Sequence, residues 1–223
     1  MTLEFADRIC RCQSASASIA GIQPMPPKPE PVGLRIELQH VKPLVWRRIV
    51  VSNQWTLASL HNYVQWVVGW QDSHAHEFHI GSRVVAPEWW IREMEFDRAT
   101  THCVDERRVS VAAVASEIGV GGAFEYHYDM GDGWEHRLIM EAPPIAWTDH
   151  DFALPACTAG ENACPPEDVG GPHGYERFLA CVTDPNSDEH IDTRRWVGGV
   201  FDPAGFDLNR VNRDWSGARR RRR

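Results

Sequence analysis

The segment Tyr126-His127-Tyr128-Asp129-Met130-Gly131-Asp132-Gly133-Trp134-Glu135-His136 decides how this 223-residue chain is read. It sets tyrosines, a tryptophan, acids and histidines around a glycine turn, and it reads as a β-hairpin. Two registers compete. A two-residue loop, Asp132-Gly133, puts His127, Asp129, Trp134 and His136 on one face and Tyr126, Tyr128, Glu135 and Arg137 on the other, so both faces are mixed. A three-residue loop, Gly131-Asp132-Gly133, gathers Phe124, Tyr126, Tyr128, Met130, Trp134, His136, Leu138 and Met140 on one face and leaves Glu125, His127, Asp129, Glu135, Arg137 and Glu141 on the other. A one-residue slip would turn every apolar side chain outward, so the cleaner partition selects the second register. Gly133 suits the left-handed position that such loops use. His136 then lies opposite Tyr128 on an aromatic face, where a neutral imidazole needs a hydrogen-bond partner or a metal.

Outward from the hairpin, Leu34, Ile36 and Leu38 alternate with Arg35, Glu37 and Gln39, the period of a half-buried strand. A second strand is expected over Val45 to Val51, after a turn at Lys42-Pro43. Thr56 has N-cap chemistry, and Leu57, Leu60, Tyr63, Val64, Val67 and Val68 recur at helical spacing up to Gly69. Glu77 to Val85 reads as a strand pair around Gly81-Ser82, residues 86–108 as irregular, and Val109 to Ile118 as a short helix. Residues 143–174 are rich in proline, glycine and acids and read as a functional loop or exposed insertion. Short helices are expected near Tyr175 to Thr183, Ser187 to Arg195 and Pro203 to Asn212. Strands first and helices last indicate an α+β fold, a mainly antiparallel sheet with helices packed on one face. Residues 1–32, with alternating Ser and Ala and then a proline cluster, read as a disordered or linker extension to a domain over 33–213. Residues 214–223 read as an arginine-rich disordered tail.

Forty-three per cent of the chain is hydrophobic, enough for a sizeable core. Five of the 23 basic residues are Arg219 to Arg223, which leaves 18 against 31 acids, a balance of −13. A body this acidic argues against a broad DNA-coating surface, because such binding rests on phosphate neutralisation. No window approaches the roughly 18 apolar residues of a membrane span, and no secretory apolar run opens the chain, so the expected compartment is the cytoplasm. Six cysteines, at 10, 12, 103, 157, 164 and 181, are too unevenly spread for a disulfide scaffold.

Several residues carry candidate chemistry. Asp129 and Asp132 flank the hairpin tip, where paired carboxylates serve a hard cation or acid–base work, although Asp132 also fits an ordinary turn role. Glu167 and Asp168 sit in a polar loop with Cys157 and Cys164, a pair whose spacing is a weak zinc pattern. Gly170-Gly171 could admit an anion at the start of the following helix. His74 and His76 would share one side of a strand and join a metal with a partner from elsewhere. Trp46 beside Arg47 and Arg48 offers an aromatic and two cations to nucleic acid or an acidic partner. Tyr128, Asp132 and Trp134 join Trp46 and Arg47 as candidate ligand contacts. The candidate cofactor is zinc or another divalent metal.

The chain resembles the plasmid Ri open-reading-frame-3-like family, some of whose members carry an insertion-element passenger, TnpR-like label. The resemblance spans about residues 33–213. It rests on Lys42-Pro43 with Trp46-Arg47-Arg48, Leu57 through Leu60-His61, Gly69-Trp70 with His74, His76 and Phe78, Tyr126 to His136, Cys164 to Gly171, Gly174-Tyr175, and Phe201-Asp202-Pro203 with Phe206-Asp207. It implies a compact α+β domain, often found near mobile elements, and does not imply serine-recombinase chemistry. Two functions follow as expectations: an accessory module that meets nucleic acid or a protein, or a metal-assisted hydrolase or nuclease with Asp129, His136, Glu167 and Asp168 converging near the hairpin tip. The absence of Gly-x-Ser-x-Gly, His-Glu-x-x-His and a phosphate loop favours the first.

Overall fold

The computed structural model describes residues 28–94, 102–144 and 153–221, with side chains to 215. The hairpin expected around Gly131-Asp132-Gly133 forms the centre of the sheet. Its strands, β6 (Ala123–Tyr128) and β7 (Trp134–Glu141), pair Tyr128 with Trp134, Tyr126 with His136 and Phe124 with Leu138. The faces divide as the sequence pattern demands, but the loop is longer: Asp129 to Gly133 connect the strands. His136 therefore opposes Tyr126, not Tyr128, and Met130 is exposed at the tip. The buried face specifies only the parity of the register, and a shift of two residues preserves it.

Around this hairpin stand β1 (Pro31–Leu38), β2 (Trp46–Ser52), β3 (His76–Ile80), β4 (Arg83–Ala86), β5 (His102–Asp105) and β8 (Ala156–Glu161). The order across the sheet is β5-β4-β3-β6-β7-β1-β2-β8. Every pairing is antiparallel except β4 with β5, which is parallel. The fold is α+β, with a mostly antiparallel sheet. The helices are α1 (Leu57–Val68), α2 (Glu88–Met94), α3 (Val111–Ile118), α4 (Gly171–Thr183), α5 (His190–Trp196) and α6 (Leu208–Arg221).

Helix α1 behaves as its sequence requires. The Thr56 side chain accepts from the Ser59 amide, Gly69 closes the helix at φ 95°, and Leu57, Leu60, Tyr63, Val64, Val67 and Val68 enter the core. Side chains from α1, α3 and α4 share that core with Leu34, Ile36, Tyr126 and Trp134 of the sheet. Helix α2, within a stretch expected to be irregular, packs Met94 on Val84 and Ala86. Val85 faces the main core, so by strand alternation α2 covers the opposite side at the β4–β5 edge. Strand β8 also escapes sequence reading: Ala156, Thr158, Ala159 and Gly160 give no apolar alternation, and pairing to β2 supplies its order.

The N-terminal extension lies outside the described residues as far as residue 27, as do residues 145–152 of the polar loop. Helix α6 continues past Asn212 through Arg221, so the expected tail begins as helix. Among the described residues no helix is long and apolar enough to cross a membrane.

Candidate metal centre at the hairpin tip

Three segments meet beside the hairpin tip: residues 69–75 after α1, the tip itself, and residues 162–170 before α4. The Trp70 indole donates to the Pro165 carbonyl at 3.0 Å, and the Gln71 amide donates to Glu167 Oε2 at 3.0 Å. The Tyr128 hydroxyl donates to Glu167 Oε1 and accepts the Ser73 amide. Burial is the main cause that raises the Tyr128 hydroxyl above its ordinary pKa, and the bond to Glu167 adds to it.

His74 stands where these segments converge. Its Nε2 lies 2.9 Å from Asp168 Oδ1, 3.6 Å from Asp129 Oδ2 and 3.9 Å from Glu167 Oε1. Each of two carboxylates has another oxygen already fixed: Asp129 Oδ1 accepts the Gly131 and Asp132 amides, and Glu167 Oε2 accepts from Gln71. Asp129 and Asp168 both adopt positive φ, 55° and 57°, a conformation that aspartate tolerates better than most residues. Among the described residues no lysine or arginine is ion-paired with Asp129, Glu167 or Asp168. Three carboxylates thus gather around one imidazole. His74, Asp129 and Asp168 each offer a ligand atom within 4.8 Å of the others.

His74 also lines a cavity of about 600 Å³ with His61, Asp72, His76, Glu106 and Arg107. The His61 and His76 rings lie parallel, 3.4 Å between centroids and 4° between planes. His61 bonds the Tyr126 hydroxyl through Nδ1 and Asp72 through Nε2, both at 2.8 Å, and His76 Nε2 meets Glu106 at 2.8 Å. Burial, as the largest cause, lowers the pKa of His76, and the His61 hydrogen bond lowers that of Asp72.

Comparison with known proteins adds the family. The family model for the plasmid pRiA4b ORF-3-like protein matches residues 31–210. The chain belongs to the plasmid pRiA4b ORF-3-like family. It is 35% identical over 187 residues to the uncharacterized protein y4hQ of Sinorhizobium fredii, covering 82% of this chain and 89% of that protein. A protein of unknown function from Methanosarcina mazei, MM3350, has a crystal structure similar to it with a TM-score of 0.69. That match is 29% identical and covers 82% of this chain and 97% of the other.

In this pRiA4b ORF-3-like chain the other candidates take varied places. His136 is wholly buried and away from the tip, its Nδ1 donating to the Tyr126 carbonyl at 3.0 Å while Nε2 has no hydrogen-bond partner among the described residues. Burial pushes its pKa down to about 4. His76 starts β3 yet belongs to the imidazole stack, so His74 and His76 do not share a ligand set. Tyr128 and Trp134 pack with Trp70 inside the core, and Tyr128 meets the site through its hydroxyl and an edge contact of its ring with His74. Asp132 accepts the Gly170 amide at 3.0 Å, so the protein's own carboxylate stands where an outside anion was expected.

Arg47 is 3% exposed, which removes it from any contact surface. It donates to the carbonyls of Trp46, Val67, Glu161 and Asn162 and to Cys164 Sγ. Trp46 donates to Glu161, with Arg35 4.3 Å from its ring centroid. Cys157 is buried in β8, where burial raises its pKa to about 11, and Cys164 holds Arg47; among the described residues neither joins a cluster of metal-ligating atoms. His61 and His74 entered the sequence reading as parts of family motifs and His74 also as half of a pair, while Asp72 carried no signal, because their contacts arise from long-range pairing.

Proposed function

We propose that the protein is a metal-assisted hydrolase whose ion is held at the hairpin tip by His74, Asp129, Glu167 and Asp168. The observation that carries this reading is the convergence of three carboxylate oxygens, from the hairpin tip and the loop before α4, within 3.9 Å of the His74 imidazole nitrogen, which comes from a third segment. One nitrogen and several oxygens suit Mn²⁺, Fe²⁺ or Zn²⁺. A cation there would lower the pKa of a bound water and supply a hydroxide nucleophile near neutral pH. The adjoining cavity, of about 600 Å³, gives space for a small substrate group. The test is Mn²⁺ titration of metal-stripped protein, followed by hydrolysis of p-nitrophenyl phosphate, bis-p-nitrophenyl phosphate and p-nitrophenyl acetate. Saturable binding and turnover, both lost in His74→Asn and Asp168→Asn, are expected; no Mn²⁺ binding would overturn the reading.

A second reading, an accessory protein that contacts nucleic acid, draws on α6, whose backbone runs helically through Arg219, Arg220 and Arg221. Grouped arginines on a helix suit phosphates. Salt-dependent DNA binding that disappears on deletion of residues 219–223, without turnover, would favour it.

A further inference from the structure

We propose a second metal site, for a zinc-type cation, formed by His61, Asp72 and His76 and sharing no ligand with the hairpin tip. It goes beyond the hydrolase reading and stands independently of it. Two imidazoles and one carboxylate are a ligand set for zinc or a similar transition metal, unlike the oxygen-rich tip. One ligand atom from each of the three residues lies within 4.8 Å of the others. A tetrahedral zinc with bonds of about 2.1 Å needs nitrogens roughly 3.4 Å apart, so the ligand atoms are close enough for coordination once the two rings reorient.

The outer partners are already in place. A ligating histidine ordinarily uses its other ring nitrogen on a carboxylate, carbonyl or similar group, which fixes tautomer and orientation. Glu106 Oε2 takes His76 Nε2, and the Tyr126 hydroxyl takes His61 Nδ1. Those bonds leave His76 Nδ1 and His61 Nε2 as the coordinating atoms, and His61 Nε2 already meets Asp72. Asp72 itself sits at φ 57°, with its amide held by Gln65 Oε1 at 2.9 Å; Gln65 also donates to the Tyr126 hydroxyl. All three residues line the cavity that His74 lines; both imidazoles are buried and Asp72 is exposed, so an ion would reach them from the Asp72 side.

The ring stack sets a condition. Nitrogen lone pairs lie in the ring planes, and planes 3.4 Å apart at 4° cannot both aim at one point. Ion entry therefore tilts the rings out of parallel, while Tyr126 and Glu106 act as pivots.

Co²⁺ titration of the metal-stripped full chain, followed by visible absorption, tests this site. Expected are tetrahedral-type Co²⁺ bands, displaced by one equivalent of Zn²⁺, abolished in Asp72→Asn and His76→Gln, and retained in Asp168→Asn. Bands that survive both triad variants, or no such bands in the wild-type chain, would overturn the proposal. Loss confined to Asp168→Asn would also overturn it while leaving the hairpin-tip reading standing; loss of Mn²⁺ binding alone would do the reverse. Asp72 is exposed, so Asp72→Asn keeps the test valid if His76→Gln fails a thermal melt.

Discussion

Asp129 turns its Oδ2 to within 3.6 Å of His74 Nε2 while its Oδ1 accepts the amides of Gly131 and Asp132. The two oxygens have separable work, one toward the site and one toward the turn. Asp129→Asn keeps an amide-accepting oxygen and tolerates the positive φ, so its melting temperature should stay close to wild type while Mn²⁺ affinity falls by on the order of 100-fold. Asp129→Ala loses the turn as well and should cost about 1–2 kcal/mol in urea unfolding. Equal affinity in Asp129→Asn and wild type, by calorimetric titration, would remove Asp129 from the ligand set.

The hairpin shows how far the sequence could be read. Alternation fixed which side chains of β6 and β7 face the core, because burying Tyr126, Tyr128 and Trp134 allows one parity. It left loop length open, since a slip of two costs no burial. The site followed the same rule. Asp129, Glu167 and Asp168 stood out as acids near glycine turns, whereas His61 and His76 are brought together by the packing of α1 against β3, which leaves no local pattern. Arg47 misleads for a related reason: a strand position beside Trp46 looks like a surface until β8 pairs with β2 and the following loop closes over it.

Arg47 holds that edge together. Its guanidinium lies 4.1 Å from the Phe206 ring centroid and donates to four carbonyls and the Cys164 sulfur. A lysine has fewer, unforked donors, and its more strongly hydrated head pays a larger desolvation cost. Arg47→Lys should therefore lose roughly 2–4 kcal/mol by urea denaturation, from several charge-assisted bonds that cannot all be replaced. A loss below about 0.5 kcal/mol, the level of an ordinary surface change, would contradict this role.

Docking of the polar loop on the hairpin depends on Gly171. A Cβ there would lie 2.3 Å from the Asp132 carbonyl oxygen, and its φ of 70° disfavours side chains. The obstacle is backbone, so it cannot swing aside. Gly171→Ala should cost roughly 2–4 kcal/mol, strain and overlap together, and loosen Glu167 and Asp168 from His74. The expected pair of results is a lower melting temperature and weaker Mn²⁺ binding; wild-type values for both would show that the loop tolerates displacement.

His136 gives the molecule an acid limit. Burial holds the folded-state pKa at about 4, against an ordinary value of 6.5. Between these values the unfolded chain binds the proton and the folded chain does not, so stability rises with pH across that window. Above 6.5 the ring is neutral in both states and the slope from this residue vanishes. As pH falls from 6.5 to 4, about 3 kcal/mol is lost, from 1.36 kcal/mol per unit. His136→Gln removes the titrating group, so its urea stability should fall less steeply than wild type between pH 6.5 and 4, whatever its absolute value. Parallel curves for the two proteins over that window would show that the acid sensitivity comes from other groups.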